Sequence, residues 1–314
     1  MKSMLHADHL LRRLRWEEIS PEYLQKLVET ARDEDLGGLG LATPPAVAGD
    51  PTTALLAPTT ASARARLVAR TPCVACGLNL VPHILHAYLT AGSGARAGGE
   101  FYVEDGDEVA TGTVLATLEG PAETLLRAER VLLNFLQKLS GIATLAATFA
   151  ARLRGTGTRV LDTRKTTPGW RVLEKYAAAT GGAWNHRLGL HDRIMLKDNH
   201  LAAGKASAGE RLAAIVRQAR LARPDLAVEC EVDEIAQIQP VLEAGADVIL
   251  LDNFPLPALK PALDLIGTRA WTEVSGGVSL ESIAEIARLG PDFISAGAII
   301  HRAAWTDIGI DWDA

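Results

Sequence analysis

The chain sets two cations side by side, Arg164 and Lys165, in DTRKTTPG directly after the apolar pair Val160-Leu161. Neighbours on a regular strand face opposite ways, so a shared task requires both to lie past the strand's end. More cations follow: His186 and Arg187 in NHRLGL, then Lys197 in IMLKDNH. Gathered in one low-dielectric mouth, these groups repel one another unless an anion offsets them, so the expected ligand is multiply anionic. Arginine forks grip planar carboxylates in bidentate pairs, whereas lysine is a point charge suited to phosphate. Two acids, Glu231 in ECEVD and Asp252 in LLDNF, could hold sugar hydroxyls, bind a divalent metal or pair with the arginines. Ser275-Gly276-Gly277 and the region of Gly297 add backbone N–H groups that can come close to phosphate oxygens. A phosphorylated sugar next to a carboxylate-bearing molecule is the economical reading.

Something must bring these residues together, and the second half of the chain has the rhythm to do it. TRVLDTRK leads into the helical pattern GWRVLEKYAAAT, which stops at Gly181-Gly182 as a helix C-terminus should. DRIMLKDNH, LAVECEVD, DVILLDNF and RAWTEVSGG each precede an amphipathic helical stretch, and DFISAGAII closes the series. Apolar runs alternating with helices argue for parallel βα units in a closed or nearly closed barrel. The runs end in Asp162 to Lys165, Lys197 to His200, Glu229 to Asp233, Asp252-Asn253, Ser275 to Gly277 and Ser295 to Gly297. Active sites of parallel barrels lie at the C-terminal ends of the strands, so all six endings are expected in one cavity.

The first half reads differently. ARARLVAR and EFYVEDGDEVATGTVLATLEGP suggest short antiparallel strands, followed by a long amphipathic helix from ETLLRAER onwards. DGDEVATGTVLATLEG is like the hairpins of biotinyl and lipoyl carriers but lacks the exposed lysine in a turn, so it reads as structure. Cys73 and Cys76 form a CxxC without a second pair, and read as small apolar fillers. His83 and His86 have no acids or thiols beside them and read as poor metal ligands. Gly37 to Gly40 and Gly92 to Gly99 do not lead a strand into a helix as a dinucleotide site demands, and read as loops.

Composition narrows the class of partner. The 314 residues suffice for two domains, and 48% hydrophobic with 22% charged residues excludes a disordered chain. A formal net charge of −6 argues against nucleic acid as a partner and makes the cation cluster local. The N-terminus has no apolar signal core, and the stretch without Asp, Glu, Lys or Arg from Thr71 to Ala95 is broken by Pro72, Pro82 and glycines. A cytoplasmic protein without a membrane partner is the expectation.

DTRKTTPG, GGAWNHRLGLHDRIMLKDNH, ECEVDEIAQIQPVLEAGADVILLDNF and EVSGGVSLESIAEIARLGPDFISAGAIIH together closely resemble the quinolinate phosphoribosyltransferase family. ARARLVAR and ETLLRAERVLLNFLQKLSGIAT fit as well, so the likeness runs from about Ala54 to His301. The resemblance implies an α/β fold: an N-terminal sandwich domain over residues 1–133, then an incomplete, roughly six-stranded α/β barrel over 134–302. Residues 303–314 are expected to pack back on the first domain. It implies transfer of the phosphoribosyl group of phosphoribosyl pyrophosphate to quinolinate with decarboxylation, giving nicotinate mononucleotide, pyrophosphate and CO2. Arg164, His186, Arg187 and Lys197 match quinolinate-binding positions, and Arg130 matches an arginine supplied across a homodimer, which can assemble further into hexamers. Lys165, Ser275, Gly276, Gly297 and His301 match positions that hold the phosphates. Lys165, Glu231 and Asp252 are the catalytic expectation, the two acids taking the ribose and Mg2+ directly or through substrate or water.

Two stretches depart from the family: LGGLGLATPPAVAGDPTT between Leu36 and Thr53 reads as a surface insertion, and CVACG replaces expected aliphatic residues. The alternatives are the paralogous pyrophosphorylase of the molybdenum-transport-associated branch and a non-catalytic sensor of phosphoribosyl pyrophosphate or a nucleotide. A sensor has no need of both a dicarboxylate site and a phosphate site.

Overall fold

The computed structural model describes residues 10–56, 61–90, 94–197, 199 and 209–313, which form two compact units. One comprises Arg15–Thr144 with the C-terminal segment from Ala303. Its strands are β1 (Ser62–Ala69), β2 (Cys73–Val74), β3 (Gly98–Phe101), β4 (Glu108–Val109) and β5 (Val114–Pro121). β1 and β3 flank β5 with antiparallel pairing, while β2 and β4 form a separate two-stranded ribbon. The reason β1 is a strand is visible in its alternation: Ala65 and Leu67 are buried, Arg64 and Arg66 exposed. A 30-residue helix, Ala122–Ala151, follows and buries a stripe through Leu125, Ala128, Leu132, Phe135, Leu139 and Ile142. Cys73 and Cys76 are buried free thiols, and the Cys76 N–H donates to Ser140 Oγ at 3.0 Å. The Leu36 to Thr53 stretch is almost wholly exposed from Leu39 to Gly49, then enters a short helix, Pro51–Leu56, whose first turn Asp50 caps through Thr52 and Thr53.

The other unit spans Leu145–Arg302 and includes the segment ending at Leu14. Its strands are β6 (Arg159–Leu161), β7 (Ile194–Leu196), β8 (Val228–Val232), β9 (Val248–Asp252), β10 (Trp271–Ser275) and β11 (Phe293–Ser295). They form one parallel sheet in the order β6-β11-β10-β9-β8-β7, with β6 and β7 at its two edges. The barrel is therefore incomplete. Helices Arg171–Thr180, Gly209–Ala222, Ile235–Glu243, Leu256–Ile266 and Ile283–Arg288 make the crossovers that parallel strands require. The interior of β9, Val248 to Leu251, is apolar on both faces because helices and the barrel interior cover it. After the barrel, β12 (Ile308–Trp312) joins the first unit's sheet by antiparallel pairing with β1.

The division of the chain differs from the expected break at 133/134. Helix Ala122–Ala151 runs through that point, and its residues up to Thr144 still bond to the sheet unit. Gln137 Nε2 donates to the Ile308 carbonyl at 2.7 Å, and Thr144 Oγ1 accepts from Val74 N–H at 2.9 Å. The N-terminal residues move the other way. The Asn185 N–H donates to the Arg12 carbonyl at 2.8 Å and Arg193 reaches the Leu10 carbonyl at 2.7 Å, tying residues 10–14 to the barrel unit.

Candidate active site

The C-terminal ends of the barrel strands enclose a cavity of about 700 Å3. Arg164, Lys165, His186, Arg187, Lys197, Glu231, Asp252, Ser275, Gly276, Gly297 and His301 all line it. Arg130 does not: it is exposed on helix Ala122–Ala151 in the other unit. Asp198 and His200 lie outside the described residues.

Arg164 and Lys165 share the cavity because β6 ends at Leu161, three residues earlier, so strand alternation no longer applies. The Lys165 N–H donates to Thr163 Oγ1 at 3.1 Å and the Thr166 N–H to the Arg164 carbonyl at 2.9 Å, a tight turn that aims both residues inward. His186 and Arg187 come from the segment after Gly182, pinned to the same strand end by the His186 N–H to Asp162 Oδ1 at 2.8 Å. Burial, and next the neighbouring Arg164, work against the charge on Arg187 and lower its pKa. Two guanidiniums that oppose each other's charge, with Glu229 and Asp192 offsetting only part of it, suit an incoming anion. Lys197 stands at the end of β7 and donates to Glu231 Oε2 at 3.1 Å.

The floor of the cavity is acidic. The amide N–H of Arg187 donates to His186 Nδ1 at 2.7 Å, which leaves Nε2 to carry the ring proton. Nε2 lies 3.4 Å from Glu229 Oε1 and 3.4 Å from Glu273 Oε1, and both carboxylates are fully buried. Burial alone would lower the His186 pKa, but Glu273 and then Glu229 outweigh it and raise it to about 9. A second ring proton would cost the Arg187 amide bond, so the two effects oppose each other at one residue. Glu229 is held in the charged form against its own burial by His186 and by Arg193, whose Nη1 donates to Oε2 at 2.7 Å.

Main chain lines part of the same cavity. Asp252 and Ser275 lie directly across from each other on β9 and β10. Gly276 follows at φ +93°, and a Cβ there would sit 2.7 Å from the Asn253 backbone nitrogen. A Cβ on Gly297 would meet Lys165 Cδ at 2.8 Å. At both glycines the Cβ position is already taken by this chain's own atoms, Asn253 at Gly276 and the Lys165 and His301 side chains at Gly297, so only glycine fits and the main chain stays bare at the cavity. Glu273, Arg193 and Arg302 escaped notice in the sequence, although Glu273 is two residues before Ser275 and thus on its face of β10.

Family comparisons agree with this geometry. Residues 50–140 match the model of the quinolinate phosphoribosyl transferase N-terminal domain, and residues 142–311 that of its C-terminal domain. The chain is 43% identical over 214 residues to a nicotinate-nucleotide pyrophosphorylase [carboxylating] of Mycobacterium leprae, covering 67% of this chain and 74% of that protein. It is 34% identical over 309 residues to quinolinate phosphoribosyltransferase [decarboxylating] 2, mitochondrial, of Nicotiana glauca, covering 93% and 83%. The crystal structure of a nicotinate-nucleotide pyrophosphorylase from Ehrlichia chaffeensis superimposes with a TM-score of 0.82 at 31% identity, covering 94% of this chain and all of that one.

Proposed function

Because the chain belongs to the quinolinate phosphoribosyltransferase family, we propose that it transfers the phosphoribosyl group of phosphoribosyl pyrophosphate to quinolinate, with loss of CO2. The products are nicotinate mononucleotide, pyrophosphate and CO2. The observation that carries this reading is the lining of one cavity by forked and imidazole cations, a lysine beside Gly297, and two carboxylates from adjacent strands.

The ring nitrogen of quinolinate is already nucleophilic, so no activated side chain is required. The protein's work is to bring two anions together and to stabilise the departing pyrophosphate, which is positioning plus preorganised electrostatics. Arg164, His186, Arg187 and Lys197 face the two ring carboxylates, with Arg130 supplied by a second copy of the chain in a homodimer, or in a hexamer built from it. Lys165, the Ser275 and Gly276 backbone, Gly297 and His301 face the phosphates. Glu231 and Asp252 hold the ribose hydroxyls and balance positive charge building at the ribose carbon. Ribosylation makes the ring cationic, so it can take up the electron pair released as the C2 carboxylate leaves as CO2. The donor set suits Mg2+: Glu231 and Asp252 present hard carboxylate oxygens from adjacent strands to the same cavity. Bound there directly or through substrate, the ion would supply charge neutralisation of pyrophosphate. A cytoplasmic location belongs to the same proposal.

The test is turnover. Purified chain with Mg2+, phosphoribosyl pyrophosphate and carboxyl-labelled quinolinate is expected to release CO2 and mononucleotide in equal amounts. No CO2 from quinolinate, or product from nicotinate alone, overturns the assignment.

A further inference from the structure

Helix Arg171–Thr180 buries two adjacent ionisable residues, Glu174 and Lys175, each with no exposed surface. Consecutive helix residues point about 100° apart, so the two reach different neighbours. Glu174 Oε2 accepts the Thr167 N–H at 2.7 Å and its Oε1 accepts the Thr167 hydroxyl at 2.7 Å. Thr167 closes the turn that carries Arg164 and Lys165, and Arg171 Nε donates to Thr166 Oγ1 at 3.1 Å in the same turn. Lys175 acts on the other segment. Its Nζ donates to Asp162 Oδ1 and, at 3.1 Å, to the His186 carbonyl. Asp162 completes the clasp by accepting the His186 N–H at 2.8 Å and Asn185 Nδ2 at 2.8 Å, and Asn185 Nδ2 also reaches the Lys175 carbonyl at 2.8 Å.

Burying such groups costs several kcal/mol per ion before pairing, and well-packed apolar residues would serve packing alone as well. Burial opposes both charges of the Asp162–Lys175 pair, raising the Asp162 pKa and lowering that of Lys175. A helix used only as a barrel crossover has no need of either residue. The geometry offers a need, since each group bonds to the backbone of one cation-bearing loop.

We propose that Glu174 and Lys175 are positioning residues with separate duties: Glu174 sets the turn that carries Arg164 and Lys165 together, and so acts on both anions, whereas Lys175 sets the segment that aims His186 and Arg187 at the dicarboxylate. This rests on the ligand assignment under Proposed function. One helix thereby fixes the spacing between two anion sites, and each anchor can be cut alone.

The experiment compares Glu174→Gln and Lys175→Met in the full chain, reading KM for each substrate, kcat and thermal midpoint. Glutamine keeps the volume and can still bond Thr167 through its oxygen and its NH2, but it loses the charge that strengthens both bonds. Glu174→Gln is expected to raise KM for both substrates about tenfold, the equivalent of about 1.4 kcal/mol, because Arg164 and Lys165 shift together. Lys175→Met is expected to raise quinolinate KM about tenfold, with KM for phosphoribosyl pyrophosphate changed less than about twofold. Lys175→Arg, which keeps the charge but not the compact ammonium, is the milder second variant and is expected to raise quinolinate KM alone. Equal changes in both KM values for Lys175→Met, or a lower thermal midpoint with both KM values at wild type in either variant, overturn the division of duties. If wild type binds both substrates without turnover, the activity assignment fails while the same two comparisons, read as dissociation constants by calorimetry, still decide this one.

Discussion

The ion pairs on the antiparallel sheet and those sealed in the core of the barrel unit work in opposite ways. On the antiparallel sheet, β1 presents Arg64 and Arg66 to solvent, paired with Glu119 Oε1 at 3.1 Å and Asp313 Oδ1 at 3.2 Å, and Arg70 just past its end pairs with Asp311. All three pairs are wet. In the barrel unit, Lys175 with Asp162 and Arg193 with Glu229 are buried, and each also bonds to main chain from elsewhere in the sequence. The difference teaches where charge can define geometry. An exposed pair competes with water and is screened by salt, whereas a buried pair cannot be abandoned cheaply and so holds its partners in place.

The largest effect expected from this contrast is on Arg193. Arg193→Met removes the donor to Glu229 and to the Leu10 carbonyl, leaving a buried carboxylate beside His186 alone. Urea unfolding is expected to show a loss of about 3–5 kcal/mol, the size seen when one partner of a buried pair is deleted. A loss below about 1 kcal/mol would put this pair with the wet ones. Next comes Lys165, an exposed cation of the cavity that serves ligand rather than fold. Lys165→Ala is expected to lower kcat roughly 100- to 1,000-fold, as removal of one preorganised charge donor does, with little change in stability. Arg164→Ala is expected to act mainly on quinolinate KM. Equal effects of both changes on quinolinate affinity would contradict the division between fork and point charge.

Glu273 stands between these extremes, because its charge is buried yet faces the cavity. The His186 pKa is raised to about 9 in the folded chain from an ordinary 6.5. A raised pKa stabilises the fold fully below the unfolded value and loses that contribution as pH climbs through about 9. The wild type is therefore expected to lose stability between about pH 6.5 and 9. Glu273→Gln is expected to flatten that slope, removing about 1–2 kcal/mol of a pH-dependent difference that, at roughly 1.4 kcal/mol per pKa unit, is about 3 kcal/mol in all. An unchanged slope from urea midpoints across this range would mean that Glu273 does not set the charge of His186.

How much of this the sequence shows follows the same divide. The polar strand endings are legible because each follows an apolar run and precedes a helix, which is why Arg164, Lys197, Glu231, Asp252 and Ser275 could be grouped before any coordinates. Arg193 and Lys175 are not legible. One reads as an ordinary charge ahead of an apolar run and the other as a solvated helix position, and only tertiary packing reveals that both are sealed. The domain boundary is hidden for a related reason: helix Ala122–Ala151 keeps one periodicity while the unit it packs with changes near Thr144. Periodicity reports that a face is buried, not against what.

The smallest effect belongs to the sheet pairs, and it is the one that closes the comparison. Arg66 is directly opposite Asp311 across the β1–β12 pairing and bonds to Asp313 two residues further on, with side chains 47% and 39% exposed. Neutralising it in Arg66→Gln keeps the aliphatic stem that covers the sheet and removes only the charge. The expected cost is about 0.2–1 kcal/mol in low salt. At 1 M salt the Debye length falls to about 3 Å, and the cost should approach zero. The Arg193→Met loss, by contrast, should survive the same salt almost unchanged, because no counter-ion reaches a pair with 5% and 0% side-chain exposure. Urea midpoints of the two variants at low and high salt separate screening from burial directly. A salt-insensitive loss at Arg66 would show that the exposed ladder positions the β1–β12 pairing as firmly as the buried pairs position the cavity.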